Sequence, residues 1–412
     1  MRDTELYQQI LGLEQPWRVA AVQLNIPQKR VDVHLTHPEG QRWSCPDCAR
    51  ELAGYDHAEE RVWRHLDTCQ FQTHLHARVP RVNCPEHGIK QVTVPWAEPR
   101  GRFTLLMERL IIDVLHETGT VSGAVALLGI TWDQGWAVMQ RAVERGQGRK
   151  EAKMLAKIGV DEKAFKKGQS YVTLVCDLDG ATVEHVAEGR TIESLAGFYR
   201  GLSEAQLWGI KAVAMDMWEP YVQATLQYVP IGSYRIVFDR FHIMQHLNAA
   251  VDQVRLGEHR DLQATGGADA DVLKGTKHLW LYARENLPDQ HRARWRQLAG
   301  LNLKVGRAWA LKETLRSLWD YTTEGWARRF FSRWYGWAVR SRLSPIKKVA
   351  RMLKGRLEQI INYCHAPVTN GVAEGINSKI MTIKRKACGF ANPAHFKTAI
   401  YFHCGGLDLY PR

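Results

Sequence analysis

Between residues 155 and 240 the chain alternates short apolar runs with helix-like stretches, and several of the runs end in aspartate. The runs occupy residues 157–161, 170–177, 181–186, 210–216 and 234–239. Short apolar runs bounded by turn residues predict β-strands, and the stretches between the later runs predict helices near residues 191–201 and 219–228. The sequence therefore predicts three consecutive strands, then helix, strand, helix and strand, in a mixed α/β layer.

The predicted order of elements is that of a ribonuclease-H-like sheet. Three of the predicted strands end in Asp161, Asp216 and Asp239. Acids at the ends of neighbouring strands are expected to converge at one edge of the sheet, where ligands bind in α/β folds. A single aspartate at the end of a strand usually has no such role, so its position alone does not assign a function.

The composition excludes several classes of protein. The 412 residues are 45% hydrophobic and 24% charged, which is typical of a globular chain of two to four domains and not of a disordered one. No window reaches the roughly 18 consecutive apolar residues of a membrane span, and the first five residues carry acid and lack an apolar signal core. We therefore expect a cytoplasmic protein. Its net charge of +13 favours a polyanionic partner, with nucleic acid first.

Most of this positive charge lies in one stretch. Residues 304–358 contain 14 lysines and arginines but only 4 acids. Aromatic residues are interleaved with that charge, including Trp309, Trp319, Trp326, Trp334 and Trp337. The combination suits neutralisation of a nucleic-acid backbone together with stacking on bases. It equally suits a tryptophan-filled helical core with a basic exterior, and both interpretations stay open at this point.

Two short cysteine-containing knuckles lie near the amino terminus. Cys45 and Cys48 form the first, and Cys84 and His87 form the second, with 35 residues between them. Four nitrogen or sulfur ligands satisfy the tetrahedral coordination of structural zinc, whereas stable disulfides are disfavoured in a reducing cytoplasm. The alternating residues 71–79 predict a strand between the knuckles, and hence a zinc-stapled β-ribbon. Three further side chains could replace one of these ligands: Cys69, His57 and His65.

A helix-turn-helix is predicted between the ribbon and the sheet. An apolar stripe at helical spacing begins near Phe103, a short helix follows over residues 120–128, and Gly129 breaks it. Thr131 can cap a third helix that starts at Trp132. A plain helical hairpin has the same pattern, but the neighbouring ribbon and basic residues favour DNA binding. We expect Thr131, Trp132 and Arg141 to contact DNA.

The chain resembles the ISL3 (ISL-three) family of bacterial insertion-sequence transposases over nearly its whole length. The resemblance rests on five separated motifs in order: the zinc module with its two knuckles, followed by residues 159–168, 215–221, 238–242 and 369–379. His87 stands at a position that is more usually cysteine in the family. The resemblance implies a DDE-type transposase whose catalytic acids correspond to Asp161, Asp216 and Glu374.

The implied acids suit metal-dependent chemistry. Phosphodiester cleavage and strand transfer can use two divalent ions that clamp the attacking and leaving oxygens, and Mg²⁺ (or Mn²⁺) needs only a few carboxylates in addition to water and phosphate. Asp161 would bridge both ions, and Asp216 and Glu374 would hold one each. Glu313 and Glu358 are rivals of Glu374 in the same region.

The spacing of these acids predicts an insertion. Asp216 and Glu374 are 158 positions apart, which is more than a compact ribonuclease-H-like fold requires. We therefore expect a helical insertion over residues 255–362, carrying the basic and aromatic stretch. In that stretch Arg328 and Arg329 are expected to contact DNA. Beyond Glu374, the basic residues Lys379, Lys384, Arg385 and Lys386 are expected to follow the phosphates, although a solvated helix end is the alternative.

Two further positions are left with two interpretations each. Residues 239–242 form a D-x-x-H pattern similar to one near the active site of several transposase groups. His242 either positions a phosphate or water there, or it is an ordinary first-turn residue of a helix capped by Asp239. Thr369 or Asn370 is expected to cap the helix that bears Glu374.

The sequence thus predicts a multidomain α+β and α/β protein. The expected domains are a zinc ribbon (1–99), a helix-turn-helix (100–150), a ribonuclease-H-like core (151–254 and 363–412) and an all-α insertion (255–362). The expected function is binding of transposon ends, their cleavage and strand transfer into target DNA, with two Mg²⁺ (or Mn²⁺) ions and a structural Zn²⁺. The expected partners are double-stranded DNA and a second copy of the chain, in the bacterial cytoplasm at the nucleoid. The alternatives are a non-catalytic DNA-binding regulator and a nuclease without strand transfer.

Overall fold

The computed structural model describes residues 2–166, 170–267, 269–368 and 371–412. The chain folds into two compact units. The amino-terminal unit contains Met1–Lys150, Ile383–Gly389 and Thr398–Arg412, and the central unit contains Glu151–Thr382 and Phe390–Lys397. In these described ranges, none of the helices is long and apolar enough to cross a membrane.

The amino-terminal unit starts with a helix and a six-stranded sheet. Its first elements are α1 (Asp3–Ile10), β1 (Arg18–Asn25), β2 (Arg30–Thr36), β3 (Arg42–Ser44), β4 (Glu51–Arg64), β5 (Gln72–Cys84) and β6 (Gly88–Gln91). The strand order is β1-β2-β5-β4-β3, with β6 paired to β5. Only β2 and β5 pair in parallel among these strands. The strand predicted at residues 71–79 is therefore confirmed as part of β5.

Three helices follow this sheet: α2 (Leu105–Thr118), α3 (Val121–Leu128) and α4 (Trp132–Arg149). Gly129 ends α3 in the left-handed region, with φ of 61°, where a residue without a Cβ atom is least strained. A capping box starts α4, because Thr131 Oγ1 accepts the N–H of Gln134 and the Gln134 side chain accepts the N–H of Thr131. The predicted break at Gly129 and the predicted cap at Thr131 are both confirmed.

Residues from the far end of the sequence complete this unit. Backbone carbonyls of residues 409–411 accept hydrogen bonds from three arginines of α2 and α4, namely Arg109, Arg145 and Arg149. Leu407 packs so closely on Gly146 that a Cβ atom built on the glycine would lie 2.7 Å from Leu407 Cβ. The two helices are therefore held from one side by a segment that is remote in sequence.

The central unit is built on a five-stranded mixed sheet. Its first elements are β7 (Lys157–Ala164), β8 (Tyr171–Asp177), β9 (Thr182–Glu188), α5 (Ile192–Arg200), α6 (Glu204–Gly209), β10 (Ala212–Met215), α7 (Glu219–Tyr228), α8 (Gly232–Arg235) and β11 (Ile236–Phe238). The strand order is β11-β10-β7-β8-β9. Strands β7, β8 and β9 are antiparallel, whereas β10 pairs in parallel with both β7 and β11.

The five predicted strands are present, but the last is shorter than expected. Residues 234 and 235 belong to the helical turn α8, which follows Ile231 at a left-handed φ of 50°. The strand β11 therefore begins only at Ile236. An apolar run cannot distinguish a strand from a short helical turn that leads into it.

A series of helices follows β11. They are α9 (Arg240–Thr265), α10 (Lys277–Leu281), α11 (Asp289–Ala299), α12 (Lys304–Arg316), α13 (Glu324–Arg340), α14 (Ser344–Lys354) and α15 (Leu357–Ile361), with three short 3-10 turns. Their apolar side chains share one core with α5, α7 and one face of the sheet. Helix α9 runs without interruption through residue 255, where the insertion was predicted to begin.

The last two helices are α16 (Gly371–Lys386) and α17 (Pro393–Cys404). Ala373, near the start of α16, packs with Ala212, Ala214 and Val237 on the second face of the central sheet. Since alternate residues of a strand point to opposite faces, this helix faces a different set of side chains from the helices α5 and α7. The expected cap residues Thr369 and Asn370 lie outside the described residues.

The five tryptophans of the basic segment divide into two groups. Trp319 and Trp334 are buried and Trp309 packs at the edge of the core. Trp326 and Trp337 are exposed. The interpretation as a helical core thus holds for some of these residues and fails for Trp326 and Trp337.

Candidate active site and zinc centre

The structure brings the four predicted zinc ligands together. Cys45, Cys48, Cys84 and His87 each offer a ligand atom, and these atoms lie within 4.8 Å of one another. Cys48 Sγ is 3.7 Å from Cys84 Sγ, and His87 Nδ1 is 3.5 Å from Cys84 Sγ. Two sulfurs at about 2.3 Å from one tetrahedral ion would be about 3.7 Å apart. The donor set and its spacing therefore fit zinc.

The knuckles form because turns and short strands hold each pair. Cys84 ends β5, and a tight turn with Gly88 at a φ of 68° places His87 beside it. Burial alone would raise the pKa of Cys84, but N–H groups of the turn and the His87 side chain lower it to about 6. A thiol with a lowered pKa is readily available as a thiolate ligand.

The three alternative zinc ligands, His65, His57 and Cys69, lie outside this cluster. His65 is buried and shares a 2.8 Å hydrogen bond with Thr104 Oγ1. His57 Nε2 lies 2.9 Å from His37 Nε2, and Cys69 is exposed. In the described chain, a second cluster of potential ligands contains His34, Glu60 and His76, but the Arg30 guanidinium lies 3.3 Å from His76.

The residues expected to bind DNA at α4 have distinct surroundings. Thr131 is engaged as the helix cap, and Trp132 is half exposed and stacks on Trp136 with ring centroids 5.7 Å apart. Arg141 donates to Glu108 at 2.7 Å. Because Glu108 is buried, Arg141 has a structural role in addition to any contact with DNA.

The acids at the edge of the central sheet are aligned by strand register. Ala214 of β10 pairs with Gly159 of β7, and Met215 pairs with Phe238 of β11. Asp216 lies two residues after Ala214, and Asp161 lies two residues after Gly159, so these two aspartates are level on their strands. Asp216 and Asp239 directly follow the pair Met215 and Phe238, so they are level as well. By alternation all three side chains belong to the face that packs against α16. The predicted convergence of these aspartates is thus seen in the register of three adjacent strands.

The electrostatics of this edge are those of crowded carboxylates. Burial raises the pKa of both Asp216 and Asp239, the nearby charge of Asp161 raises each further, and His242 acts in the opposite direction. The pKa of Glu162 reaches about 7, because burial and then the charges of Asp216 and Asp161 disfavour its ionised form. Acids that destabilise one another in this way are typical of cation-binding sites.

Helix α16 reaches this edge through Asn377. Its Nδ2 donates a hydrogen bond to Asp161 Oδ2, across 216 positions of sequence. Glu374 precedes Asn377 by three residues and is therefore on the same side of the helix. Glu374 is exposed, and its carboxylate does not join Asp161 and Asp216 in a compact three-ligand group among the described residues. The structure thus places the helix of Glu374 at the site without closing the three acids around one point.

Several buried oxygens at this edge have no hydrogen-bond partner among the residues that the structure describes. They are Glu162 Oε2, Asp239 Oδ2 and Asn377 Oδ1. Buried polar atoms are nearly always satisfied, and carboxylate and amide oxygens are the ligands that hard divalent cations prefer. This donor set fits Mg²⁺ or Mn²⁺.

The capping interpretation of the D-x-x-H pattern is confirmed, and the interpretation that His242 positions a phosphate or water stays a prediction. Asp239 Oδ1 accepts the N–H of Phe241 at 3.1 Å and so caps α9. His242 Nε2 lies 3.9 Å from the other oxygen of Asp239 and influences the pKa of Asp216. His242 is therefore a first-turn residue that also borders the acids.

Three residues near the acids were not predicted. Glu162 directly follows Asp161, so its position in the motif was a usable signal. The Arg190 guanidinium is stacked between the rings of Tyr171 and Trp218, at 4.3 and 4.4 Å, and lies 3.9 Å from Glu162. Arg356 donates to the carbonyl of Met217 at 2.5 Å. No local sequence pattern predicts that these two arginines lie near the acids, because both belong to segments outside the strands.

The remaining basic residues expected at DNA differ in availability. Arg328 is held by Glu358 at 2.6 Å and by Glu324 at 3.3 Å, whereas Arg329 is exposed. Lys379 and Arg385 lie on exposed positions of α16, Lys384 is partly buried, and Lys386 Nζ donates to the carbonyl of Thr118 at 3.3 Å.

Three family models match the chain in succession. A model described as a zinc-finger of transposase IS204/IS1001/IS1096/IS1165 matches residues 41–87, and one described as a helix-turn-helix domain of transposase family ISL3 matches residues 92–143. A third, described as transposase, matches residues 158–400. Zinc-finger, helix-turn-helix and transposase domains on one chain define a transposase, which implies DNA binding. More specifically, the chain belongs to the ISL3 family of transposases.

Curated relatives agree with this assignment. The chain is 26% identical to the transposase for insertion sequence element IS1001 of Bordetella parapertussis, over 90% of each chain. It is 25% identical to the transposase for insertion sequence element IS1557 of Mycobacterium tuberculosis, over 95% of this chain and 94% of the relative. Together with the four-ligand cluster, the zinc-finger match supports a structural zinc ion.

Proposed function

We propose that this transposase cleaves DNA at the ends of its element and joins the freed 3′-hydroxyl groups to target DNA. The central sheet would be a ribonuclease-H-like core (151–254 and 363–412), interrupted by a helical insertion (255–362). One observation carries the proposal: Asp161 and Asp216 are level on adjacent strands, on the sheet face that receives the helix of Glu374.

Asp161, Asp216 and Glu374 are the residues that would hold two divalent ions. When bound, Mg²⁺ or Mn²⁺ would stabilise charge on the attacking and leaving oxygens of the phosphodiester. The Asn377 amide fixes one oxygen of Asp161, and the N–H of Trp218 fixes one oxygen of Asp216 at 3.0 Å. Asp161 Oδ1 accepts the N–H of Glu162 at 2.8 Å, and a carboxylate oxygen that accepts one hydrogen bond keeps a second lone pair for a cation. His242 borders the same edge, where it can contact a phosphate or water.

The other domains are proposed to hold the DNA. A zinc ribbon (1–99) and a helix-turn-helix (100–150) would read the transposon ends, with Thr131 and Trp132 at the start of α4 near the groove. Lys379, Lys384, Arg385 and the basic residues of the insertion would neutralise phosphates near the acids. Two ends must be cut in coordination, so we propose a homodimer in the DNA complex.

The test compares the natural chain with Asp161→Asn on oligonucleotides that carry the transposon end. With Mg²⁺ the natural chain is expected to nick the end and join it to a target, whereas Asp161→Asn is expected to lose nicking and keep end binding. Binding is measured by gel shift with Ca²⁺, which supports binding without reaction. Asp179→Asn, in the exposed turn after β8, is the matched control and is expected to retain nicking.

The outcomes separate the alternatives. Nicking without joined product would identify a nuclease, and end binding without nicking by the natural chain would identify a DNA-binding regulator. Asp161→Asn protein that still nicks would overturn the assignment of the acids.

A further inference from the structure

Helix α13 presents two different faces. Its buried residues are Ala327, Phe331, Trp334 and Ala338, at helical spacing. Five exposed residues, Trp326, Arg329, Arg333, Trp337 and Arg340, follow one another at intervals of three, four, four and three positions. These intervals place them on one side of the helix. We name this set the tryptophan-arginine stripe.

The two tryptophans of the stripe are not part of the core. Trp326 is 59% exposed and Trp337 is 41% exposed, while Trp334 of the same helix is 2% exposed. The core of the central unit is therefore completed by other rings. Large aromatic side chains left in solvent on a charged surface are typical of a binding site.

The arginines of the stripe are free of acids. In the described part of the chain, Arg329, Arg333 and Arg340 have no carboxylate within 4.0 Å, in contrast to Arg328, which is paired with Glu324 and Glu358. The same helix thus carries one structural arginine and three that are available to an anion. The Arg329 guanidinium lies 5.6 Å from the centroid of the Trp326 ring.

Gly336 of α13 leaves space for the side chain of Arg340. A Cβ atom on Gly336 would lie 3.1 Å from a guanidinium nitrogen of Arg340, so the arginine occupies the space that a larger residue would fill. The guanidinium of Arg340 is thereby directed back along the helix and lies beside Gly336. Basic groups consequently lie along the exposed face between the two tryptophans.

We propose that the tryptophan-arginine stripe binds a single-stranded segment of DNA. Arginines can neutralise successive phosphates, while each tryptophan stacks on a base. Inside a duplex, away from its ends, both faces of each base are covered by its neighbours, so a tryptophan that stacks there needs an unpaired base. Eleven residues separate the two tryptophans, or about 16 Å along the axis, which spaces their bases a few nucleotides apart. The proposal rests on the proposed function, because cutting one strand frees the terminal bases of the transposon end to unpair.

The experiment measures DNA binding in the Asp161→Asn chain, without magnesium and without chelator. The probes are a fluorescent single-stranded 12-mer and a blunt duplex of the same sequence, followed by anisotropy. Changing Trp326 and Trp337 together to alanine is expected to weaken single-strand binding about thirty-fold or more, from the loss of two stacked bases. Duplex binding is expected to change less than about two-fold, and the phenylalanine pair is expected to restore much of the single-strand affinity.

The contribution of the three arginines is tested by the salt dependence of single-strand binding. Changing Arg329, Arg333 and Arg340 to alanine is expected to lower the slope of log affinity against log salt by about 2, since each lost phosphate contact on a single strand contributes about 0.7. The tryptophan pair is expected to leave that slope unchanged. Trp208→Ala, at a 49% exposed tryptophan of α6, is the matched control and is expected to have no effect.

Equal loss of single-strand and duplex binding, or no loss in the tryptophan pair, would overturn the proposal. A second result would also overturn it. If sedimentation without DNA shows a dimer that the tryptophan changes abolish, while DNA affinity stays constant, then the stripe is an interface between two copies of the chain. Binding is read in a variant that is not expected to cut, so failure of the natural chain to nick DNA would count against the proposed function and leave this result standing.

Discussion

Single residues at the edge of the central sheet are held by very few protein contacts. Asp161 accepts hydrogen bonds from the Asn377 side chain and from the N–H of Glu162, while Glu162 Oε2 and Asp239 Oδ2 are buried and have no partner among the residues that the structure describes. Carboxylates this close repel one another unless protons or cations offset their charge. The amide of Asn377 is therefore a contact from α16 that can orient Asp161 before a cation binds.

Asn377→Ala is expected to slow the nicking of transposon ends by about ten- to a hundred-fold. A hydrogen bond to a charged group contributes about 1.5–3 kcal/mol, and about 1.4 kcal/mol corresponds to ten-fold in rate. Rates are measured in single turnover at several Mg²⁺ concentrations, since a misplaced Asp161 should also raise the Mg²⁺ requirement. Ser378→Ala, on an exposed side of α16, serves as the control. Identical rates in both variants would show that Asn377 does not position Asp161.

Buried His65 is expected to make the free energy of unfolding depend on pH. Burial, and then the charge of Arg64, lower the pKa of His65 to about 4, below the value near 6.5 of an unfolded chain. Between these values the unfolded chain binds the proton and the folded chain does not, so stability falls as pH decreases from about 6.5 to 4. Between pH 7 and pH 5 the loss from this group is about 2 kcal/mol.

His65→Asn is expected to remove that part of the pH dependence. Urea unfolding of the natural chain and the variant at pH 7 and pH 5 provides the comparison. The relevant quantity is the difference between the two pH slopes, since the zinc ligands also take up protons in acid. Parallel slopes would contradict the assignment to His65.

At the scale of elements, α2 and α4 are joined by a buried acid. Glu108 of α2 is 2% exposed and accepts from both Arg141 and Arg145 of α4 at 2.7 Å. Removing the acid would take from Arg141 its carboxylate partner and would leave the almost fully buried Arg145 with Glu98 as its remaining carboxylate among the described residues. Breaking a buried pair of this kind commonly costs about 3–5 kcal/mol.

Glu108→Ala is accordingly expected to lower the free energy of unfolding of the amino-terminal unit by about 3–5 kcal/mol. The measurement is urea unfolding followed by tryptophan fluorescence, together with gel shifts on the transposon end. Glu117→Ala, at an exposed position of the same helix, is expected to change stability by less than about 0.5 kcal/mol. A mild effect at Glu108 would mean that the helices pack without the ion pairs.

Local elements were predictable because their signals are local. Thr131 and Gln134 form a cap within four residues, Gly129 ends a helix by its own conformation, and the strand-end acids follow apolar runs. The bond from Asn377 to Asp161 and the stacking of Arg190 depend on contacts between distant segments. Sequence periodicity contains no information on such pairs. The resemblance to a family supplied Glu374, which no local pattern would have selected over Glu313 or Glu358.

At the scale of the whole molecule, the amino-terminal unit is discontinuous in sequence. Helices α2 and α4 lie within Met1–Lys150, yet the unit also needs Ile383–Gly389 and Thr398–Arg412. The last of these segments supplies Leu407 against Gly146 and the carbonyl acceptors of three arginines. The central unit has its own large core, which includes none of these contacts.

Deletion of residues 407–412 is therefore expected to destabilise the amino-terminal unit and weaken binding to transposon ends, although Asp161, Asp216 and Glu374 remain. Thermal unfolding and gel shifts measure the two effects. Arg412→Ala, which removes only an exposed side chain paired with Asp408, is the control and should behave as the natural chain. Unchanged end binding after the deletion would show that α2 and α4 do not need the segment.

This discontinuity has a consequence for synthesis on the ribosome. Lys150 emerges long before Thr398, almost 250 residues later, and at about 5–20 residues per second the interval lasts on the order of tens of seconds. During that time the nascent polypeptide has its zinc ligands and α2–α4 but lacks the segment that holds those helices. We therefore expect prematurely terminated products, which lack Thr398–Arg412, to bind transposon ends more weakly than the fully translated chain.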